Sequence, residues 1–247
     1  RIFKLEFSVL NESSLHNTLK TYYAIQSNGK TEYKLHNHIY DIYTENNQVI
    51  EIQTQNLVKL LPKILDTLEK GIKVKLVHTV VVTKTITLFN KENEKISKRK
   101  SPKKGCIYDL FSELTGIYHI LLRENFTLEV LLIDITEQRI RTEEPVQSKN
   151  NRRRFKRNWN KTNKHLDQII ETITFNKKED YLNLLPKNLP EEFCAKDINK
   201  LLKENNSIPK NYRPNGNLII WVFNRMKLIE QTKVENRSRY YRIKQIN

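Results

Sequence analysis

The residues best suited to chemistry lie in one stretch, DIYTENNQVIEIQTQN, at positions 41–56. This stretch has the pattern of two short apolar strands around a polar turn, yet Asp41 and Glu51 stand inside those strands. An ionised carboxylate inside a strand costs free energy unless another group pairs with it. Because Glu51 and Gln53 are two residues apart, their side chains point to the same face of the strand. The hairpin therefore predicts a polar site on one face.

The length of the turn decides whether Asp41 joins that face. A three-residue loop pairs Thr44 with Gln48. That register sets Asp41 opposite Glu51. A two-residue loop pairs Glu45 with Gln48 instead and sends Asp41 to the other face. The sequence is compatible with both loops.

In the first register the two carboxylate-bearing residues lie about 5 Å apart at the backbone, and both acids cannot stay ionised there without a cation. A hard divalent ion such as Mg²⁺ prefers carboxylate oxygens and water. Such an ion can activate water and stabilise charge at a phosphodiester. The alternative interpretation is a solvated strand face, on which Glu51, Gln53 and Gln55 alternate with apolar or small side chains.

The chain is strongly basic, with 44 Lys and Arg against 28 Asp and Glu among its 247 residues, which gives a net charge of +16. Two basic runs stand out, KISKRKSPKKG at 95–105 and NNRRRFKRNWNKTNK at 150–164. Basic surface binds phosphates through counterion release, so this clustering favours a polyanion partner. A protein from a lysine-rich proteome is the alternative explanation.

Composition excludes several other classes. The two cysteines, Cys106 and Cys194, are far apart, which excludes a zinc ribbon and gives no reason for a disulfide framework. No run approaches 18 apolar residues, so we expect no membrane partner. The segment RIFKLEFSVL lacks the pattern of a signal peptide, and we expect a cytoplasmic protein.

The elements around the hairpin predict an α/β (α+β) fold with a mixed sheet. Asn11 is a suitable N-cap for the first helix, and Pro62 predicts a kink in the second. Helices are predicted at 12–26, 57–71 and 107–124, and strands at 31–44, 49–55, 73–89 and 126–140.

Residues 137–165 break this pattern, because they combine Pro, Ser, Asn and Arg with little apolar content. We interpret residues 141–164 as a basic linker between a first domain at 1–140 and a second at 165–247. The second domain is predicted to contain short helices, including one at 195–205 and one at 211–226, followed by a basic β-hairpin. That order is typical of a winged helix.

The order of a helix with Glu12, a strand with Asp41, a hairpin and then EIQ at 51–53 resembles the PD-(D/E)XK, or restriction-endonuclease-like, nuclease superfamily. The segments ESSLHNTLK, DIYTENNQVIEIQT, SPKKG and LPEEFCAKDI are more closely similar to an uncharacterised bacterial family. That family joins this nuclease core to a C-terminal winged helix. The resemblance covers nearly the whole chain and implies a mixed central sheet flanked by helices.

The resemblance also implies roles for particular residues. Asp41 and Glu51 would be metal ligands, the Ile52 carbonyl a further ligand, and Glu12 an auxiliary ligand or the holder of a metal-bound water. The implied ion is Mg²⁺, with Mn²⁺ as an alternative. Gln53 stands where most members have Lys, and a neutral amide can orient water but supplies no positive charge.

Two lysines on the following helix, Lys59 and Lys63, are candidates to replace the missing ammonium, and a solvated helix face is the alternative for each. His16 lies one helical turn from Glu12 and could hydrogen-bond that carboxylate or a phosphate. A structural histidine is the alternative there.

Basic side chains from several regions are predicted to contact DNA. Lys103 and Lys104 in SPKKG could clamp a phosphate, and a solvated basic loop is the alternative. The predicted contact set is His16, Lys63, Lys103, Lys104, Arg152, Arg153, Arg154, Lys210, Arg213, Arg225, Arg237 and Arg239.

These observations lead to the hypothesis of a Mg²⁺-dependent DNA endonuclease, or nuclease subunit, with RNA as the alternative substrate. A double-strand break needs two sites, so a homodimer or a partner protein is expected if both strands are cut. The alternatives are a non-catalytic DNA-binding protein on a nuclease-like scaffold and a winged-helix transcription regulator. The last of these leaves the carboxylates in the hairpin unexplained.

Overall fold

The computed structural model describes residues 15–148, 151 and 153–244. The helices are α1 (Leu15–Ser27), α2 (Leu61–Glu69), α3 (Phe111–Leu114), α4 (Lys178–Leu182), α5 (Ala195–Glu204) and α6 (Gly216–Arg225). The strands are β1 (Lys30–Leu35), β2 (His38–Thr44), β3 (Gln48–Gln53), β4 (Lys73–Phe89), β5 (Lys95–Lys100), β6 (Phe126–Val146), β7 (Arg157–Phe175), β8 (Ile229–Glu235) and β9 (Ser238–Ile243).

Seven strands of the described chain form one mixed sheet in the order β1-β2-β3-β4-β6-β7, with β5 pairing an outer part of β4. The β3–β4 and β4–β6 pairs are parallel, and the remaining pairs are antiparallel. Helices cover both faces, because β-branched and leucine side chains point alternately to either side of the central strands. The predicted mixed sheet flanked by helices is confirmed.

The two faces of the sheet carry separate apolar cores. On one face α1 buries Leu15, Leu19 and Tyr23 against the apolar residues of β3, β4 and β6. On the other face α2, α3 and the C-terminal helices pack against the sheet in a larger cluster that contains Leu76 and Leu128. The central strands are therefore buried from both sides, as their continuous apolar runs require.

Several predicted elements have different bounds in the structure. The strand predicted at 31–44 is divided into β1 and β2 by a turn at His36, which has a φ of 52°. Pro62 does not kink a helix, because α2 begins at Leu61 and Pro62 lies in its first turn, where no N–H is needed. The helix predicted at 107–124 is helical over 107–114 and continues as turns. Part of the basic run at 95–105 forms β5.

The linker prediction for 141–164 is wrong over most of its length. β6 continues to Val146 and β7 begins at Arg157, so the two strands form a long hairpin that projects from the sheet. The segment HLDQIIETI at 165–173, the start of the predicted second domain, is part of β7. Polar residues are tolerated here because the strands exchange backbone hydrogen bonds and expose their side chains to solvent. The sheet thus extends to Phe175, beyond the predicted boundary at 140.

The last part of the chain contains α4, α5, α6 and the β8–β9 hairpin, and it packs directly on the sheet. The Phe111 and Phe223 rings meet edge to face with centroids 5.3 Å apart. The Tyr212 hydroxyl donates to Asp109 Oδ1 at 3.2 Å. The two parts of the chain therefore share one apolar core rather than being separated by a polar linker.

Within the described part of the chain, no helix combines the length and apolar character needed to cross a bilayer.

Candidate functional site

The β2–β3 hairpin has the register that sets Asp41 beside Glu51. Thr44 pairs with Gln48, so the hairpin has the three-residue loop. The regular ladder ends at the Ile42–Ile50 pair, one residue before Asp41 would meet Glu51, because side chains replace the backbone partners. The Asp41 N–H donates to Glu51 Oε1 at 3.3 Å, and the Ile52 N–H donates to Asp41 Oδ2 at 2.8 Å. Both carboxylates are thus held where β2 and β3 separate.

Lys63 on α2 pairs with the buried carboxylate of Glu51. Its ammonium lies 2.6 Å from Glu51 Oε1 and also donates to the Ile39 carbonyl at 2.5 Å. The same ammonium stands 4.6 Å from the centroid of the Tyr40 ring, a favourable cation–π position. Glu51 is only 3% exposed. The solvated-face alternatives for Lys63 and Glu51 are therefore wrong, whereas Lys59 is exposed on the preceding 3₁₀ turn.

His16 on α1 approaches the same site from the opposite face of the sheet. Its Nε2 lies 3.3 Å from Asp41 Oδ2, and the hydrogen bond from His16 to that carboxylate raises the histidine pKa. Glu12, predicted one helical turn earlier, lies outside the described residues.

The two carboxyl groups have pKa values displaced in opposite directions. Burial raises the pKa of Glu51, and the neighbouring Asp41 charge adds to that rise against the opposing effect of Lys63. Burial also disfavours ionised Asp41, but hydrogen bonds from His16 and from the Ile52 amide outweigh it, so the pKa of Asp41 is lowered. Divergent pKa values in adjacent carboxyls are typical of acid–base and metal sites.

Gln53 does not contact the carboxylates through its side chain, whereas the Ile52 backbone does. The Gln53 side-chain amide donates to the Asn56 carbonyl at 3.3 Å, on the loop that follows β3. The Gln53 amide therefore points away from Asp41 and Glu51, beside which it was predicted to act. The Ile52 N–H points towards β2, and the carbonyl of the same residue lies on the same side of an extended strand.

Asp41 and Glu51 are the side chains at this site that could hold a hard divalent ion. In the described part of the chain, no three His, Cys, Asp or Glu side chains are grouped so that they could hold a metal ion together. Mg²⁺, however, is commonly held by only one or two carboxylates with water in its remaining positions. Asp41 and Glu51 could supply those two carboxylates, and the Lys63 ammonium is the cation that contacts Glu51 in this structure.

Four of the predicted DNA contacts converge on one groove. Lys103 and Lys104, from the loop before α3, line a depression of about 480 Å³ together with Lys210 and Arg213, from the loop before α6. These pairs are more than 100 residues apart in the chain. The Tyr212–Asp109 hydrogen bond fixes the two loops beside each other.

The other predicted basic contacts lie on two separate surfaces. Arg153 covers the Trp159 ring at 4.2 Å on the β6–β7 hairpin, Arg154 is exposed nearby, and Arg152 lies outside the described residues. On the C-terminal helices, Arg225 stands 5.4 Å from the centroid of Trp221, and Arg237 and Arg239 line a cavity of about 560 Å³ against α6.

A buried acid on β6 was missed by sequence reasoning. Glu137 is 3% exposed and contacts Arg139 at 2.5 Å, Lys161 at 3.1 Å and Lys84 at 3.7 Å. These cations come from three strands, so no local motif predicts them. Burial opposes ionisation of Glu137, but the hydrogen bond from Arg139 and the two lysines outweigh it and lower the pKa to about 2.

Glu137→Gln should destabilise the fold by about 2–3 kcal/mol at pH 7, because it leaves three cations without their shared counterion. The folded pKa lies below the unfolded value of 4.5, so the carboxylate stabilises the fold above pH 4.5. That contribution is lost as pH falls towards 2. Urea unfolding of both proteins between pH 7 and 3 should show the difference narrowing with acidification.

Glu143→Gln is the matched control, because Glu143 lies on the exposed part of the same strand as Glu137 and pairs with Lys91. Its unfolding midpoint should stay close to that of the wild type. A Glu137→Gln protein as stable as this control would show that the buried cluster contributes no net stability.

Comparisons with known proteins identify relatives without assigning an activity. Residues 13–176 match the family described as a domain of unknown function, DUF8091. An uncharacterized protein of Treponema pallidum (strain Nichols) is 24% identical over 194 residues, which cover 78% of this chain and 74% of that protein. No solved structure matches the chain.

Proposed function

The chain belongs to the DUF8091 family, and because that description assigns no activity, we propose from the chemistry of the site that the protein is a Mg²⁺-dependent DNA nuclease. The observation that carries the proposal is the Asp41–Glu51 pair, held between separating strands with oppositely displaced pKa values. Two adjacent carboxylates in this setting are suited to a hard divalent ion.

Asp41 and Glu51 would hold the ion, and the Ile52 carbonyl and Glu12 are its proposed additional ligands. When bound, Mg²⁺ would supply activation of a water molecule and stabilisation of negative charge on the phosphate oxygens. His16 restrains the Asp41 carboxylate from one side, and the Ile52 amide restrains it from the other. These contacts orient the carboxylate before any substrate arrives, which lowers the cost of organising the site.

Lys63 supports the proposal by supplying the positive charge that Gln53 lacks. Its ammonium lies 2.6 Å from Glu51, on the helix that follows the hairpin. Positive charge beside the site can stabilise the charge that develops on a phosphate during hydrolysis. We therefore assign to Lys63 the role that the resemblance gives to the lysine normally found at the position of Gln53.

The restriction-endonuclease-like core and the winged helix are part of the same proposal. The order of α4, α5, α6 and the β8–β9 hairpin is compatible with a winged helix, and Phe193 pairs with Tyr241 of the hairpin. Arg225, Arg237 and Arg239 surround the exposed side of α6 and would contact phosphates. A cytoplasmic location, with a homodimer or partner protein for double-strand cutting, completes the proposal.

A non-catalytic DNA-binding protein is the second candidate. The Gln53 amide is directed to Asn56 rather than to the carboxylates, and Lys63 already compensates the charge of Glu51. Both contacts are compatible with a nuclease-like scaffold that binds DNA without cutting it.

Plasmid nicking distinguishes the two candidates. With Mg²⁺ or Mn²⁺ the purified protein should convert supercoiled DNA to open circles, and with EDTA it should not. A parallel reaction with labelled RNA tests the alternative substrate. Salt-dependent DNA binding without cleavage in either metal would contradict the nuclease proposal and support the second candidate.

A further inference from the structure

One edge of β4 carries a gap between two neighbouring strands. The β3–β4 pairing ends at Gln53 and His78, and the β4–β5 pairing begins at Thr85 and Lys100. Within the described chain, residues 79–84 therefore have no strand beside them on this edge. A strand edge without a partner is accessible to other groups.

The SPKKG loop crosses this gap and donates backbone hydrogen bonds to the edge of β4. Ser101 N–H donates to the Lys84 carbonyl at 2.7 Å, and Gly105 N–H donates to the Val82 carbonyl at 3.0 Å. A Cβ at Gly105 would lie 2.3 Å from the Val81 carbonyl oxygen, so only glycine permits this approach. Lys103 is thereby placed over the gap.

Lysines from three separate elements line the cavity beneath the loop. The cavity measures about 420 Å³ and contains Lys84 of β4, Lys103 of the loop, and Lys161 and Lys164 of β7. Thr54 and Gln55, which follow β3, also line this cavity. Converging ammonium groups with polar neighbours are suited to a phosphate or a similar oxyanion.

The acids on the cavity wall are already engaged. Glu137 is shared among Arg139, Lys161 and Lys84, as described above. Asp109 accepts from the Cys106 N–H and the Tyr212 hydroxyl, and Glu113 accepts from the Leu57 N–H at 2.9 Å.

Two of the four lysines have no acidic side chain of the described residues within ion-pair distance, namely Lys103 and Lys164. The other two, Lys84 and Lys161, both contact Glu137. Burial lowers the pKa of Lys164, and the neighbouring Lys161 and Lys84 lower it further. A bound anion would offset both effects.

The cavity adjoins the carboxylate site along β3. Gln53 follows Glu51 by two residues, or about 7 Å, and its carbonyl contacts His78 Nδ1 at 2.7 Å on the cavity wall. Lys103 and Asp109 line both this cavity and the groove that contains Lys104, Lys210 and Arg213. The basic surface is therefore continuous from the C-terminal part of the chain to the end of β3.

We propose that this cavity binds one phosphate of a nucleic-acid strand. A neighbouring phosphodiester of the same strand would then lie at Asp41 and Glu51, and the adjoining groove would guide the strand into the cavity. This proposal rests on the proposed nuclease function for its substrate. The phosphate could be an internal diester or a terminal monoester, which present the same oxyanion chemistry to the lysines.

Fluorescence anisotropy with a labelled single-stranded oligonucleotide in EDTA tests the proposal without cleavage. Lys103→Gln with Lys164→Gln should weaken binding about tenfold or more. The slope of log Kd against log salt should fall by about 1.4, or about 0.7 for each lost contact. Lys95→Gln, which removes one exposed charge from β5, should leave Kd within twofold. Lys103→Arg with Lys164→Arg should retain binding, and urea midpoints would establish that every variant is folded.

Comparing 5′-phosphorylated with 5′-hydroxyl oligonucleotides distinguishes the two phosphate sources. Tighter binding of the phosphorylated strand, lost in the double Gln variant, would assign the cavity to a terminal phosphate. Equal binding of both, weakened in that variant, would assign it to an internal one. A double Gln variant that binds within twofold of wild type with an unchanged salt slope would overturn the proposal. If the wild type shows this lysine-dependent binding but does not cut DNA with Mg²⁺, the nuclease proposal is wrong and the phosphate site is still supported.

Discussion

Asp41→Asn is expected to reduce Mg²⁺-dependent plasmid nicking at least about 100-fold while leaving the protein folded. A neutral amide is a poor ligand for a hard cation, and it also loses the ionic contact to His16. A 100-fold loss corresponds to about 2.7 kcal/mol of transition-state stabilisation. Initial rates of open-circle formation, measured at saturating Mg²⁺, give the effect directly.

Asp66→Asn is the matched control for this experiment. Asp66 lies on α2 near the same edge of the sheet, where it pairs with Lys70 and His38 at the surface. Its loss should change nicking by less than about threefold, because surface ion pairs contribute little. Retention of more than one tenth of wild-type nicking by Asp41→Asn, with the control intact, would rule out a catalytic carboxylate at position 41.

Lys63→Met should cost about 2–4 kcal/mol of unfolding free energy at pH 7, because it leaves the buried Glu51 charge uncompensated. It should also lower nicking, since Lys63 supplies the proposed positive charge. The pKa of Glu51 is already raised in the folded protein, so its ionised form opposes folding above that pKa. Removing Lys63 raises the pKa of Glu51 further. The stability loss should therefore be largest near pH 8 and smaller at pH 5, where the carboxyl takes up a proton.

Urea unfolding at both pH values, together with a double-mutant cycle, measures this coupling. Glu51→Gln combined with Lys63→Met removes both charges, so the double variant should recover much of the stability lost by Lys63→Met alone. Lys59→Met, an exposed change four residues earlier, serves as the control and should have little effect. A stability loss in Lys63→Met that is independent of pH would show that packing, not the ion pair with Glu51, causes it.

Much of the fold can be predicted from local sequence patterns. The β-branched run at 73–89 predicts β4 with the observed bounds, since continuous apolar character is what a strand buried on both faces requires. The helix predicted at 195–205 is observed as α5, Ala195–Glu204. By contrast, the 141–164 segment has the polarity of a linker. Its residues 141–146 and 157–164 nevertheless pair as parts of β6 and β7, and such backbone pairing leaves no apolar signature.

The carboxylate site was predictable in its residues but not in its geometry. Asp41 and Glu51 stand out as acids inside apolar strands, and the sequence alone shows that they need compensation. Their relative placement depends on one residue in the turn, and period-two alternation is equally satisfied by either loop. Lys63 had two possible environments, because a lysine on an amphipathic helix can face solvent or reach a neighbouring strand.

By itself, the sequence determined the strand and helix periodicities, the strong positive charge and the presence of two acids that require a partner. These properties arise within a few neighbouring residues or from composition alone. Tertiary packing decided that Lys63 meets Glu51, that His16 meets Asp41, and that lysines from β4, β7 and two distant loops enclose one continuous groove. Residues so far apart in the chain come together only because two apolar cores set the positions of helices, strands and loops, and no local pattern encodes those distances.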